Sequence, residues 1–211
     1  MTSRRSPARP SSGRRPAAAL AAMVAAGVLL LAGCTGTDGE AAPSPNRPGS
    51  PAPAWSGTTL DGREVALADL EGDVVVLNIW ATWCAPCVRE MPKLDALHRE
   101  YGAQGLQVVG ASVDRGGADA RIREFIEEHD IGFSILLDPD QRVMNRFRTY
   151  SVPETFLIGH DGTILHRWIG EFDPMAPTER ARVEDALAER AARTDAPAEQ
   201  AAQPTGEVYR P

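Results

Sequence analysis

Apolar positions fall along this chain in different rhythms, and each rhythm predicts a different element. Residues 74–80 (Val-Val-Val-Leu-Asn-Ile-Trp) are apolar at every position but Asn78. So continuous a run marks a strand buried on both faces of a parallel sheet. Helical spacing follows: Val88, Met91, Leu94 and Leu97 lie three residues apart, with Arg89, Glu90, Lys93, Asp95 and Arg99 around them. Pro86 suits the first turn of that helix, where its missing N–H costs nothing, whereas Pro92 predicts a kink inside it. Residues 106–113 form a second apolar strand ending before Asp114. Residues 118–129 then read as a helix with Ile122, Phe125 and Ile126 inward, 133–137 as a third strand and 141–147 as a short helix. Asp61-Gly62 and Asp161-Gly162 each sit between short β-prone runs and predict hairpins. Residues 177–193 make a last amphipathic helix. Together these elements predict an α/β fold: a central mixed β-sheet with helices on both faces and an N-terminal β-hairpin.

The two ends of the chain read differently. Residues 17–31 are apolar without interruption and follow a basic start holding Arg4, Arg5, Arg9, Arg14 and Arg15. This is the length of a signal-peptide core, short of the roughly 20 apolar residues that a bilayer span needs. The stretch closes on Leu31-Ala32-Gly33-Cys34, which resembles the lipobox of bacterial lipoproteins. That resemblance implies cleavage before Cys34 and lipidation of its thiol; an uncleaved N-terminal anchor is the alternative. Either arrangement puts the remainder at the cell membrane, on its extracytoplasmic face. Residues 35–54 carry Pro43, Pro45, Pro48, Pro51 and Pro53 among Gly, Ser and Ala, the composition of a semi-extended tether. Residues 195–211, rich in Ala, Pro, Gln and Glu, read as a disordered tail. The expected order is therefore signal peptide with lipobox at 1–34, tether at 35–54, folded domain at 55–194 and tail at 195–211. The domain is long enough for a core of its own.

Charge and composition narrow the chemistry. All 29 acidic residues lie beyond Cys34, whereas five of the 22 basic ones precede it. The remainder is thus more acidic than the overall net charge of −7, which excludes nucleic acid as a partner and electrostatic docking on anionic lipid. His98, His129, His160 and His166 are scattered without metal-ligand spacing, and no Gly-rich phosphate loop follows a strand. No metal and no cofactor is expected. Of the three cysteines, Cys34 is assigned to the lipid, leaving the single pair Cys84 and Cys87. A small scaffold stapled by disulfides carries more cysteines than this. Placed where a strand gives way to a helix, the first cysteine of the pair meets unsatisfied N–H groups and the positive end of the helix dipole. Those favour a thiolate, and in Cys-x-x-Cys pairs the thiol pKa falls from about 8.5 to roughly 7 or below. The pair therefore reads as a redox centre, with a purely structural disulfide as the alternative.

Two motifs in order carry a resemblance. Trp83-Cys84-Ala85-Pro86-Cys87 with Glu90-Met91-Pro92, followed later by Val152-Pro153-Glu154-Thr155-Phe156-Leu157-Ile158, resembles the membrane-tethered, thioredoxin-like thiol-disulfide oxidoreductases of the TlpA/ResA type. The resemblance spans residues 55–187. It departs at Gly159-His160, where the family often has an aspartate after the strand. It implies a thioredoxin-like fold in which Cys84 is the exposed nucleophile and Cys87 the more buried resolving thiol. It also implies that Val152-Pro153 is a cis peptide aligning an extended substrate, with Trp83 and Pro86 shaping the loop beside it. Glu90 is implied as a tuning or acid/base group, against the alternative of a solvated helix-surface glutamate. Glu154 reads as a surface residue, with a substrate contact as the alternative, and Trp80 as core.

The expected partners are protein thiols and disulfides, apocytochrome c among them, with a membrane thiol transporter as electron donor. A reductase is the leading expectation, and an oxidase of exported proteins the alternative. A thiol peroxidase would need proline and threonine where Leu77 and Ala81 stand. A non-catalytic binding module would not need both cysteines.

Overall fold

A computed structural model describes residues 46–194. The signal peptide, Cys34, the tether up to residue 45 and the tail at 195–211 lie outside the described residues. Seven strands form one sheet: β1 (Ser56–Thr59), β2 (Glu64–Ala66), β3 (Val74–Trp80), β4 (Leu106–Ser112), β5 (Ser134–Leu137), β6 (Glu154–Ile158) and β7 (Ile164–Ile169). Their order across the sheet is β2-β1-β5-β4-β3-β6-β7. The parallel centre β5-β4-β3 is flanked by antiparallel β1 on one side and β6 on the other. Four helices complete the fold: α1 (Ala85–Tyr101), α2 (Asp119–Glu128), α3 (Arg142–Phe147) and α4 (Pro177–Thr194). This is the thioredoxin-like α/β architecture.

The apolar run 74–80 is buried at all seven positions. Side chains alternate across a strand, so both faces of β3 are covered. Asp61-Gly62 and Asp161-Gly162 close the β1–β2 and β6–β7 hairpins, with Gly62 at φ +89° and Gly162 at φ +80°. α1 runs through Pro92 without a break, although the proline ring has no N–H to donate. One glycine shapes the core beneath the cysteines. A Cβ at Gly110 of β4 would lie 2.7 Å from Ile135 Cδ1 and 3.0 Å from Trp80 Nε1. Only glycine leaves room there for the buried indole, which packs on Phe125 of α2.

The folded body begins earlier than residue 55. Gly49 N donates to Ile164 O at 2.8 Å, Ile164 N to Ser50 O at 2.9 Å and Ala52 N to Gly162 O at 2.8 Å. Ser50 is buried, and Pro51 bridges Thr163. Residues 46–54, assigned by composition to the tether, are therefore docked along the start of β7. Prolines lack an N–H, but the residues between them retain theirs and use them on the outer strand.

Candidate active site

β3 ends at Trp80, and four residues later the chain turns into α1. Two carboxylate contacts fix that turn: Thr82 N and Thr82 Oγ1 donate to the two oxygens of Asp114 at 2.9 and 2.7 Å. Asp114 follows β4, and Ser112 Oγ donates to it as well at 3.0 Å. The cysteine loop is thereby fastened to the neighbouring strand.

Cys84 is the N-cap of α1. Its backbone is extended (φ −91°, ψ 98°), and its sulfur accepts from Cys87 N at 3.2 Å. This is the capping position that serine or aspartate usually fills, so the sulfur sits among the free N–H groups of the first turn. Pro86 occupies that same turn. Cys84 and Cys87 are joined by a disulfide, with Cα atoms 5.2 Å apart. Cys87 is fully buried, as expected of a resolving thiol, but Cys84 is only 5% exposed. The expectation of an openly exposed nucleophile is corrected: capping the helix turns the sulfur inward. Its neighbour Trp83 takes the solvent position, at 64% exposure.

Val152-Pro153 is cis. Glu154 pairs with Ile79 across the β6–β3 ladder, which sets Pro153 at the end of the sheet where β3 passes into the cysteine loop. Pro153 O accepts from Gly170 N at 3.0 Å, just beyond β7. Val152 is half-buried and Pro153 buried. Among the described residues the large apolar side chains left exposed are Trp83, Tyr150 and Ile169. Trp83 precedes Cys84, Tyr150 lies three residues before Pro153, and Ile169 pairs with Glu154. They rim the same end of the sheet.

Glu90, one helical turn beyond Cys87, is fully buried rather than solvated. Asn78 Nδ2 donates to its Oε1 at 2.6 Å, and Phe172 N reaches its Oε2 at 3.4 Å. Burial lifts its pKa from the ordinary 4.5 to about 7, against the lowering effect of those two donors. It is therefore a carboxyl that gains and loses a proton near neutrality, one turn from the Cys87 sulfur.

The expectation that Glu154 lies at the surface is overturned. It is buried; Thr149 Oγ1 donates to one of its oxygens and Arg167 Nε to the other. Burial raises its pKa, and the Arg167 guanidinium works against that rise. Asp114 and Asn78, which shape the site, also escaped the sequence reading. Their partners stand 32 and 77 residues away in the chain, although a lone Asn within an apolar run was a visible signal.

Residues 48–167 match the AhpC/TSA family. The thiol-disulfide oxidoreductase ResA of Bacillus anthracis is 32% identical over 123 residues, covering 58% of this chain and 70% of that relative. ResA of Geobacillus thermodenitrificans is 37% identical over 116 residues, covering 55% of this chain and 66% of the relative. Among solved structures, a Chlorobium tepidum protein assigned as the thiol:disulfide interchange protein DsbE superposes with a TM-score of 0.61 at 28% identity. That superposition covers 67% of this chain and 98% of the other. With a Cys-x-x-Cys disulfide at the start of α1, the chain belongs to the AhpC/TSA family and is a thioredoxin-like thiol-disulfide oxidoreductase.

Proposed function

We propose that the protein works as an extracytoplasmic reductase, transferring two electrons from Cys84 and Cys87 to disulfides of exported polypeptides. The observation that carries this reading is the fully buried Glu90. Strong oxidants of this chemistry owe their potential to a stabilised thiolate in the reduced form. A carboxylate in the same buried region opposes a thiolate and so favours release of electrons. The proton steps follow. The Cys84 thiolate attacks a substrate disulfide, forming a mixed disulfide and expelling one substrate thiolate. Cys87 passes its proton to the Glu90 carboxylate and attacks the Cys84 sulfur. The second substrate thiolate departs, and the Cys84–Cys87 disulfide remains for a membrane thiol donor to reduce. The apolar rim of Trp83, Tyr150 and Ile169 suits an extended polypeptide lying along Val152-Pro153.

Equilibration with glutathione tests the direction. A potential near that of thioredoxin, about −270 mV, is expected, whereas one near the DsbA value of about −120 mV overturns the reductase reading. By its resemblance to the TlpA/ResA group, the substrates include the haem-binding cysteines of apocytochrome c. Trapping with Cys87→Ala, which stalls the mixed disulfide at Cys84, should capture them; a trapped set without them ends that assignment. Anchorage by a lipid on Cys34 predicts incorporation of a fatty-acid label that Cys34→Ala abolishes. A label that persists in the variant would refute it.

A further inference from the structure

An unpartnered polar atom of the core lies next to the group that carries the proton. Asn78 interrupts an otherwise apolar strand and is fully buried in β3. Both hydrogens of its amide are in use: Nδ2 donates to Glu90 Oε1 at 2.6 Å and to Thr155 Oγ1 of β6 at 2.8 Å. Its carbonyl oxygen Oδ1 has no partner. A buried acceptor without a donor is costly, and an apolar residue at 78 would avoid that cost. Satisfaction of its own polar atoms therefore does not explain the side chain. What the orientation achieves is a donor aimed at a carboxylate, since turning the amide over would set the Oδ1 acceptor against the Glu90 oxygen.

We infer that Asn78, oriented by Thr155, is a positioning residue that sets how readily Glu90 gives up its proton. This rests on Glu90 being the acid/base group of the exchange reaction. The charged surroundings leave that role to a neutral residue. On α1, Arg89 is engaged by Glu171 and Lys93 by Asp173, and both carboxylates belong to the segment after β7. From that segment the Phe172 N–H lowers and Glu171 raises the Glu90 pKa, and Lys93 on α1 lowers it. β3 and β6 present Asn78 and Thr155, both neutral. The Asn78 contact, at 2.6 Å, is shorter than the 3.4 Å contact from Phe172. Donation to Glu90 favours the ionised form, so the proton leaves nearer to neutral pH than it would from an apolar pocket.

The test is a 13C NMR titration of the Glu90 carboxyl in the oxidised protein, paired with the pH profile of disulfide exchange. Asn78→Leu should move the Glu90 midpoint upward by about one unit or more, the scale of a lost hydrogen bond to a charged group. The exchange profile should move with it. In a Glu90→Gln background, Asn78→Leu should leave the profile unmoved. Thr155→Val should give a smaller upward shift, restored by Thr155→Ser, which supplies a readout should Asn78→Leu not fold. An unmoved Glu90 midpoint in Asn78→Leu or, if that variant does not fold, in Thr155→Val would overturn the inference. So would an equal profile shift in the Glu90→Gln background. If Glu90→Gln itself left the wild-type profile unchanged while the Glu90 midpoint still responded to Asn78, the acid/base reading of Glu90 would fail and the tuning by Asn78 would stand.

Discussion

Glu90 and Glu154 are buried within one residue of each other in sheet register, Glu90 bonded to Asn78 and Glu154 opposite Ile79. Burial pushes both pKa values up. What differs is the answering group. Glu154 faces a guanidinium and a hydroxyl, whereas Glu90 faces an amide and a backbone N–H. A full positive charge opposes the effect of burial on the first carboxylate and makes it a fastener between β6, β7 and the loop leading to Pro153. Neutral donors leave the second balanced at about 7, where it can exchange a proton. The same residue type in the same depth of protein becomes structural or chemical according to the charge of its partner.

The largest effect should come from removing the cation of the fastener. Arg167→Met leaves Glu154 buried and unpaired, a loss of about 3–5 kcal/mol for a buried ion pair broken on one side. Urea unfolding at pH 7 should show it, with part of the loss recovered at low pH as Glu154 protonates. If the variant were as stable as the parent, Glu154 would not be a fastener.

Next in size is the pH dependence belonging to Glu90. A folded-state pKa of about 7 against an ordinary 4.5 means that the folded protein holds the proton longer than the unfolded chain. Its contribution is complete below about pH 4.5 and declines through pH 7, amounting to about 3 kcal/mol. Glu90→Gln in the oxidised protein should flatten that decline, as urea midpoints across pH 4–8 would record. An unaltered slope would remove Glu90 from the comparison.

Smaller still, Thr149→Val deletes a hydroxyl donor to Glu154 and should cost about 1–3 kcal/mol, without moving the pH profile of disulfide exchange. A shifted profile would mean that the two carboxylates are not separate in function. The smallest change is expected from Lys93→Ala. Its pair with Asp173 is roughly half exposed on both sides, so stability should fall by less than about 1 kcal/mol. The Glu90 midpoint should rise slightly, because Lys93 lowers it.

Much of the fold was legible because its signals are local. A seven-residue apolar run, two Asp-Gly turns and a helical spacing after Cys87 each involve neighbours in the chain, and each produced the expected element. The cysteine pair was legible for the same reason. Glu154 was not, because its burial depends on Arg167 from the next strand and Thr149 from the preceding loop. Asn78 carried a signal in its position but none of its meaning, which needed Thr155 and Glu90. Cys84 stands at the point of the helix that its sequence predicts, but without the predicted exposure, because a capping side chain folds back over its own first turn. Residues 46–54 were misplaced by composition: proline content is a property of the segment, and docking on β7 is a property of where the sheet ends.

That docked segment has a consequence for reach. Were the chain free up to Trp55, twenty residues would separate Cys34 from the folded body, a span of up to about 70 Å when fully extended. With the chain docked from residue 46 on, the eleven residues between Cys34 and Asn46 allow at most about 40 Å. If Cys34 is the anchor point proposed above, the enzyme works on a short leash, and a bulky client must bring its disulfide close to the bilayer to meet Cys84.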